Sequence, residues 1–195
     1  MIIGITGGIA SGKSLITSRV KELGYRVYDC DVISHDLFET DEIQLRLKDE
    51  FGIKSDRVTR KEISSIVFSD ESKLKLLNNI MHPFILDELD KIIWNTKEEE
   101  IVFIDVPLLY ELHLTYMFNK IIFVYLDEDK QIERLKERDR ISTAYAKEKI
   151  RKQLSMEEKR SIAKEKKHFI LENNTGIEEA YKKLDIILKE IKNDI

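Results

Sequence analysis

The sequence predicts an α/β fold in which a parallel sheet is covered by helices on both faces. Three observations carry that expectation. Short apolar runs recur at residues 1–6, 26–30, 101–105, 121–126 and 168–172, and long helical patterns separate them. The runs at 101–105 and 121–126 are rich in Ile, Val and Phe, as strands buried on both faces are. The first run ends in a glycine-rich turn that leads directly into a helix.

Taken in order, the first strand is followed by a helical pattern over 13–23, which Gly24 closes as a C-cap. The second strand runs to Cys30, so Asp29 and Asp31 straddle its end, two apart and able to share a face. Residues 43–94 are helical in periodicity without a central strand, with His82 before Pro83 a candidate helix end, and residues 130–167 form a highly charged helical block. An amphipathic helix over 177–191 closes the chain. The two helical blocks lie between strands, where α/β proteins bind ligands beyond the carboxyl ends of the sheet.

A length of 195 residues fits one domain carrying an insertion. With 33 basic against 37 acidic residues the net charge is -4, and the absence of a basic excess argues against a dedicated nucleic-acid binder. No apolar run approaches the roughly 20 residues that span a bilayer, and residues 1–9 lack the basic start and cleavage site of a secretory signal. The single cysteine, Cys30, makes neither an intramolecular disulfide nor a thiolate metal site, and a reducing cytoplasm is expected. The four histidines show no zinc-ligand spacing, and no serine elbow or nucleophile triad is visible.

The chemistry is carried by Gly7-Gly8-Ile9-Ala10-Ser11-Gly12-Lys13-Ser14, a full match to G-x-x-x-x-G-K-[ST] between a buried strand and a helix. Glycines let backbone N–H groups converge on phosphate oxygens at a helix N-terminus, where the dipole also favours anions. Lys13 supplies charge to the terminal phosphates, and Ser14 offers a hydroxyl to Mg²⁺. Asp105 ends an apolar strand, as a metal-holding carboxylate of such a site would, although an Asp there can also cap a loop. Asp31, just past the second strand, stands where it could accept a proton from an incoming hydroxyl. Arg134 and Arg138 lie four apart on one helical face, although Glu133, Glu137 and Asp139 could equally satisfy them as a solvated surface.

On these residues the chain resembles the dephospho-CoA kinase family. The opening from Ile3 through Ser14, including Thr6-Gly7-Gly8, looks like that family's P-loop, and Asp29-Cys30-Asp31 with His35 sits at its Asp-x-Asp. His82-Pro83, Asp105-Val106-Pro107-Leu108-Leu109-Tyr110-Glu111, Arg134 with Arg138-Asp139, Ser142, Ala146, Gln153 and Asn174-Thr175-Gly176 follow in order. Three positions depart from the family: Ala10 replaces a common glycine, Leu15 a common Thr or Ser, and Lys149 a common arginine.

The resemblance implies a P-loop NTPase core with a parallel five-stranded sheet (residues 1–40, 96–133 and 167–195), a helical coenzyme A-binding insertion (about 41–95) and a helical lid (about 134–166). It implies transfer of a phosphoryl group from ATP, with Mg²⁺, to the ribose 3′-hydroxyl of dephospho-CoA. Asp31, Lys13 and Arg138 would be catalytic. Gly8, Ile9, Ala10, Ser11, Gly12, Lys13, Ser14, Leu15, Arg138 and Asn174 would hold the nucleotide, and Ser14 and Asp105 the metal. Thr6, Asp31, His35, His82 and Leu109 would meet the acceptor. The protein would act in the cytoplasm as a monomer or weak homo-oligomer, without nucleic acid or membrane. Another small P-loop kinase acting on nucleotides or nucleosides is the alternative. A GTPase switch is disfavoured, because Asn119-Lys120 is followed by Ile121-Ile122 and not by the guanine-reading x-Asp.

Overall fold

A computed structural model describes residues 1–68 and 70–194. The elements in chain order are β1 (Ile2–Gly7), α1 (Lys13–Glu22), β2 (Arg26–Asp29), α2 (Cys30–Phe38), α3 (Asp41–Phe51), α4 (Arg60–Val67), α5 (Glu71–Asn95), β3 (Val102–Asp105), β4 (Lys120–Tyr125), α6 (Glu128–Asp139), α7 (Thr143–Arg151), α8 (Met156–Glu165), β5 (Phe169–Glu172) and α9 (Ile177–Asn193). They form two compact units, Met1–Asp29 with Thr96–Ile195, and Cys30–Asn95.

In the first unit the sheet order is β2-β3-β1-β4-β5, and every neighbouring pair is parallel. This is the five-stranded α/β sheet the apolar runs predict. All six residues of β1 are buried, because the strand is central and covered on both faces. Its alternation sends Ile3 and Ile5, with Phe103, Ile122, Val124 and Leu171, into a core shared with Ile16 and Val20 of α1 and the apolar stripe of α9. Glycine is required at Gly4 on the opposite face, where a Cβ would stand 2.9 Å from Leu109 and 3.1 Å from Phe118. Beyond β4, a smaller cluster of Ile132, Leu135, Ala146 and Ile150 joins α6 to α7 and takes in Ile9 and Ala10 of the loop after β1. Ser142 caps α7, and Ser155 with Glu158 forms a capping box on α8.

Among the described residues the second unit is four helices around Phe38, Ile43, Leu47, Val58, Ile63, Ile80 and Met81. Gln44, buried there, is fully used: its amide donates to the carbonyls of Phe38 (2.9 Å) and Val58 (3.2 Å) and accepts from Val58 N–H (2.8 Å). This unit begins at Cys30, whereas the sequence draws its insertion from residue 41, so α2 belongs with the helices and not with the sheet.

Two local expectations are corrected. Cys30 and Asp31 do not continue β2; they are the first residues of α2. The strand stops at Asp29 because its partner β3 stops at Asp105, the last pair in their register. Nor do His82 and Pro83 end a helix, since α5 runs through them to Asn95. One missing N–H is tolerated where Ile80 and Met81 are already anchored in the core.

Candidate active site

The loop from Gly7 to Gly12 leaves the carboxyl end of the central strand and turns into α1. Ser11 N–H donates to Gly8 C=O (3.1 Å) to close the turn. Gly12 has a φ of 90°, and a Cβ there would lie 2.2 Å from the Asn173 amide nitrogen, so no other residue fits. Ala10 has a φ of 59°, a left-handed conformation that costs a non-glycine residue roughly 1–2 kcal/mol. A glycine would adopt this conformation without that cost. The first turn of α1 receives no side-chain cap and contains no carboxylate, in contrast to the capped α4, α7 and α8. Its first-turn N–H groups take no side-chain cap, and with the helix dipole they suit an anion.

Lys13 and Asp105 meet here. The Lys13 ammonium donates to one oxygen of the Asp105 carboxylate, and Thr17 Oγ1, one turn along α1, donates to the other at 2.7 Å. Asp105 is 1% exposed, so both contacts hold a buried charge at the end of β3. The register pairs Asp29 with Asp105, which puts both carboxylates on the α1 face of two adjacent parallel strands. Ser14, exposed on the first turn of α1, and Leu15 beside it complete the loop's exit. A hydroxyl and a buried carboxylate at one helix start are hard oxygen donors suited to Mg²⁺.

The residues after β4 bring further groups. Asn173, 2% exposed, donates to Ser11 C=O (2.9 Å), and Arg134 donates to Asn173 C=O (3.1 Å), which places its guanidinium beside Gly12. Arg138, four residues on, does not join it. Its Nε donates to Asp139 (2.8 Å), as does Lys149 Nζ (2.8 Å), and these two cations hold the Asp139 carboxyl down at about 2. Asn174 is turned away from the loop: its side chain accepts from Asp127 N–H (3.0 Å) at the entry to α6.

The candidate acceptor residues fall in both units, Thr6 and Leu109 in the first, Asp31, His35 and His82 in the second. Thr6 is buried at the end of β1, its hydroxyl 3.4 Å from Pro107 C=O. Leu109 is fully buried against Gly4, so it supports β1 and presents no surface; Leu108 is the exposed neighbour. Asp31 and His35 are exposed on α2. His82 is half-buried in α5, where burial lowers its pKa. Sequence reasoning missed Thr17, Asn173 and Gln131. Only Thr17 carries a local signal, its i+4 spacing from Lys13.

A glycine-rich loop with its lysine on a buried strand-end carboxylate, set on a β2-β3-β1-β4-β5 parallel sheet, defines a P-loop kinase. The dephospho-CoA kinase family model matches residues 1–179, and the chain belongs to that family. A dephospho-CoA kinase from Fusobacterium nucleatum is 37% identical over 189 residues, covering 95% of each chain. One from Oceanobacillus iheyensis is 37% identical over 199 residues, covering 97% of each. Among solved structures, a Thermus thermophilus protein matches with a TM-score of 0.79 at 31% identity, over 97% of each chain. A dephospho-CoA kinase from Campylobacter jejuni matches with a TM-score of 0.65 at 25% identity, over 97% of this chain and 96% of that one.

Proposed function

We propose that this protein transfers the terminal phosphoryl group of ATP to the ribose 3′-hydroxyl of dephospho-CoA, giving coenzyme A and ADP, the last step of coenzyme A synthesis. The observation that carries the reading is the Lys13–Asp105–Thr17 arrangement at an uncapped α1, in a chain that belongs to the family over nearly its whole length. Phosphoryl transfer demands positioning and charge stabilisation more than covalent chemistry. The loop N–H groups and Lys13 bind and orient the phosphates. Ser14 and Asp105, with Asp29 alongside, would hold Mg²⁺, which supplies charge neutralisation between the phosphates. Arg134, beside Gly12, stabilises phosphate charge from the far side of the loop. Arg138 is a second cation for the same charge once it leaves Asp139.

Asp31, in the first turn of α2 and two residues after β2, is the proposed base that accepts the 3′-hydroxyl proton. Thr6, His35 and His82 are proposed to meet the acceptor. The enzyme is proposed to act in the cytoplasm as a monomer or weak homo-oligomer. No described helix is long and apolar enough to cross a membrane.

The test is incubation with ATP, Mg²⁺ and dephospho-CoA, followed by mass analysis for one added phosphate. Efficient transfer to a nucleoside or nucleotide, with none to dephospho-CoA, would overturn the acceptor.

A further inference from the structure

Two glutamines grip one residue of the phosphate loop from opposite sides. Gln153, between α7 and α8, accepts from Ile9 N–H (3.1 Å), and Gln131 of α6 donates to Ile9 C=O (2.7 Å). The roles follow from the backbone: an N–H requires the amide oxygen of Gln153, and a carbonyl requires the amide nitrogen of Gln131. Ile9 N–H belongs to the peptide plane shared with Gly8, and Ile9 C=O to the plane shared with Ala10. Each glutamine therefore fixes a different peptide plane, immediately before the left-handed Ala10.

The grip is itself supported. Gln131 is 2% exposed. Gln153 precedes Leu154, whose N–H is taken by Glu111 (3.2 Å), and Glu111 is paired at 2.8 Å with Lys159, a cation with no exposed surface. A buried charge with one partner is strongly committed to that geometry. A Cβ on Gly8 would meet Met156 at 2.5 Å, so the loop is also closed sterically from α8.

We propose that Gln131 and Gln153 are positioning residues for phosphoryl transfer. They set the peptide planes of the phosphate loop from the helices of residues 128–165, so the loop's donor geometry depends on those helices and not on the loop alone. The proposal rests on the loop's reading as a phosphate cradle. Glutamate distinguishes the two sites, because a carboxylate accepts as Gln153 does but cannot donate as Gln131 does.

The experiment compares Q153L, Q153E, Q131L and Q131E by amide hydrogen exchange of the nucleotide-free protein, ATP titration calorimetry and steady-state kinetics. Expected are exchange of residues 8–14 about tenfold faster, and ATP affinity about tenfold weaker, in Q153L, Q131L and Q131E, as losing one hydrogen bond implies. KM for dephospho-CoA stays unchanged in all four, and Q153E recovers both loop protection and ATP affinity. Wild-type exchange in Q131E, or exchange in Q153E as fast as in Q153L, overturns the assignment. Faster exchange with unaltered ATP affinity overturns its connection to phosphate binding. If ATP affinity is also unaltered in K13A, it is the cradle reading that fails. Should a Gln131 variant not fold, the Q153L and Q153E pair decides alone.

Discussion

The ammonium of Lys13 and the carboxylate of Asp105 form an ion pair at the start of α1, and Thr17 holds the second carboxylate oxygen. The pair links turnover to stability. Lys13→Ala is expected to reduce kcat by on the order of 100-fold or more, by removing a preorganised charge. It also strands a carboxylate that is 1% exposed. Breaking such a pair typically costs about 3–5 kcal/mol, and the remaining Thr17 contact keeps the loss at or below the lower end. The double variant Lys13→Ala with Asp105→Asn should regain thermal stability without regaining turnover. Calorimetric melting and steady-state rates of both variants check this.

Asp31→Asn is expected to lower kcat by roughly 100- to 10,000-fold while ATP and dephospho-CoA bind with near-normal affinity. Asp29→Asn should be milder and should weaken the response to Mg²⁺, because Asp29 lies in register beside Asp105. Kinetics at varied Mg²⁺ separate the two. A dead Asp29→Asn with a nearly normal Asp31→Asn exchanges their roles.

Arg138→Ala is expected to lower kcat more than it weakens ATP binding, since contacts made mainly in the transition state act that way. Arg134→Ala should instead weaken ATP binding, because its guanidinium already stands beside Gly12. Titration calorimetry set against saturating rates distinguishes these outcomes.

Ala10→Gly is expected to stabilise the protein by about 0.5–1 kcal/mol. Relief of the left-handed strain at φ 59° exceeds the added flexibility of the unfolded chain. Denaturant midpoints with unchanged slope measure it.

His168 shares a 3.0 Å hydrogen bond with the Tyr110 hydroxyl and stacks on its ring. Burial, and then the charge of Lys166, lower its pKa. The unfolded chain therefore takes up the proton first, and stability should fall as pH drops through the ordinary imidazole range near 6.5. Burial lowers His82 in the same sense. Unfolding between pH 7.5 and 5 should show a smaller slope in His168→Gln than in the natural chain.

Strands were legible because burial on both faces leaves apolar runs, and the phosphate loop because its residue types are dictated locally. Two boundaries were not. The end of β2 is set by the length of β3, a neighbour some 75 residues away in sequence, and nothing in Tyr28-Asp29-Cys30-Asp31 records it. The course of α5 through Pro83 depends on how its flanking residues pack. The site divides similarly. Lys13 and Asp105 follow from position in motif and strand, but Gln131, Gln153 and Asn173 reach the loop only through tertiary structure. Asn173 and Asn174 show how narrow the margin is, since one holds Ser11 and the other the entry to α6.

The pairing of β1 has a consequence for how the chain is born. Ile2 lies beside Val102, and Ile3 beside Lys120, so the central strand has no partner until more than half of the chain has left the ribosome. The helices of Cys30–Asn95, by contrast, share a core of their own and lie wholly within that early portion. Local contacts form quickly and distant parallel pairings slowly. During synthesis the nascent chain thus carries a completed helical unit behind a bare apolar segment, Ile2–Gly7, which is the part most in need of protection from neighbouring chains.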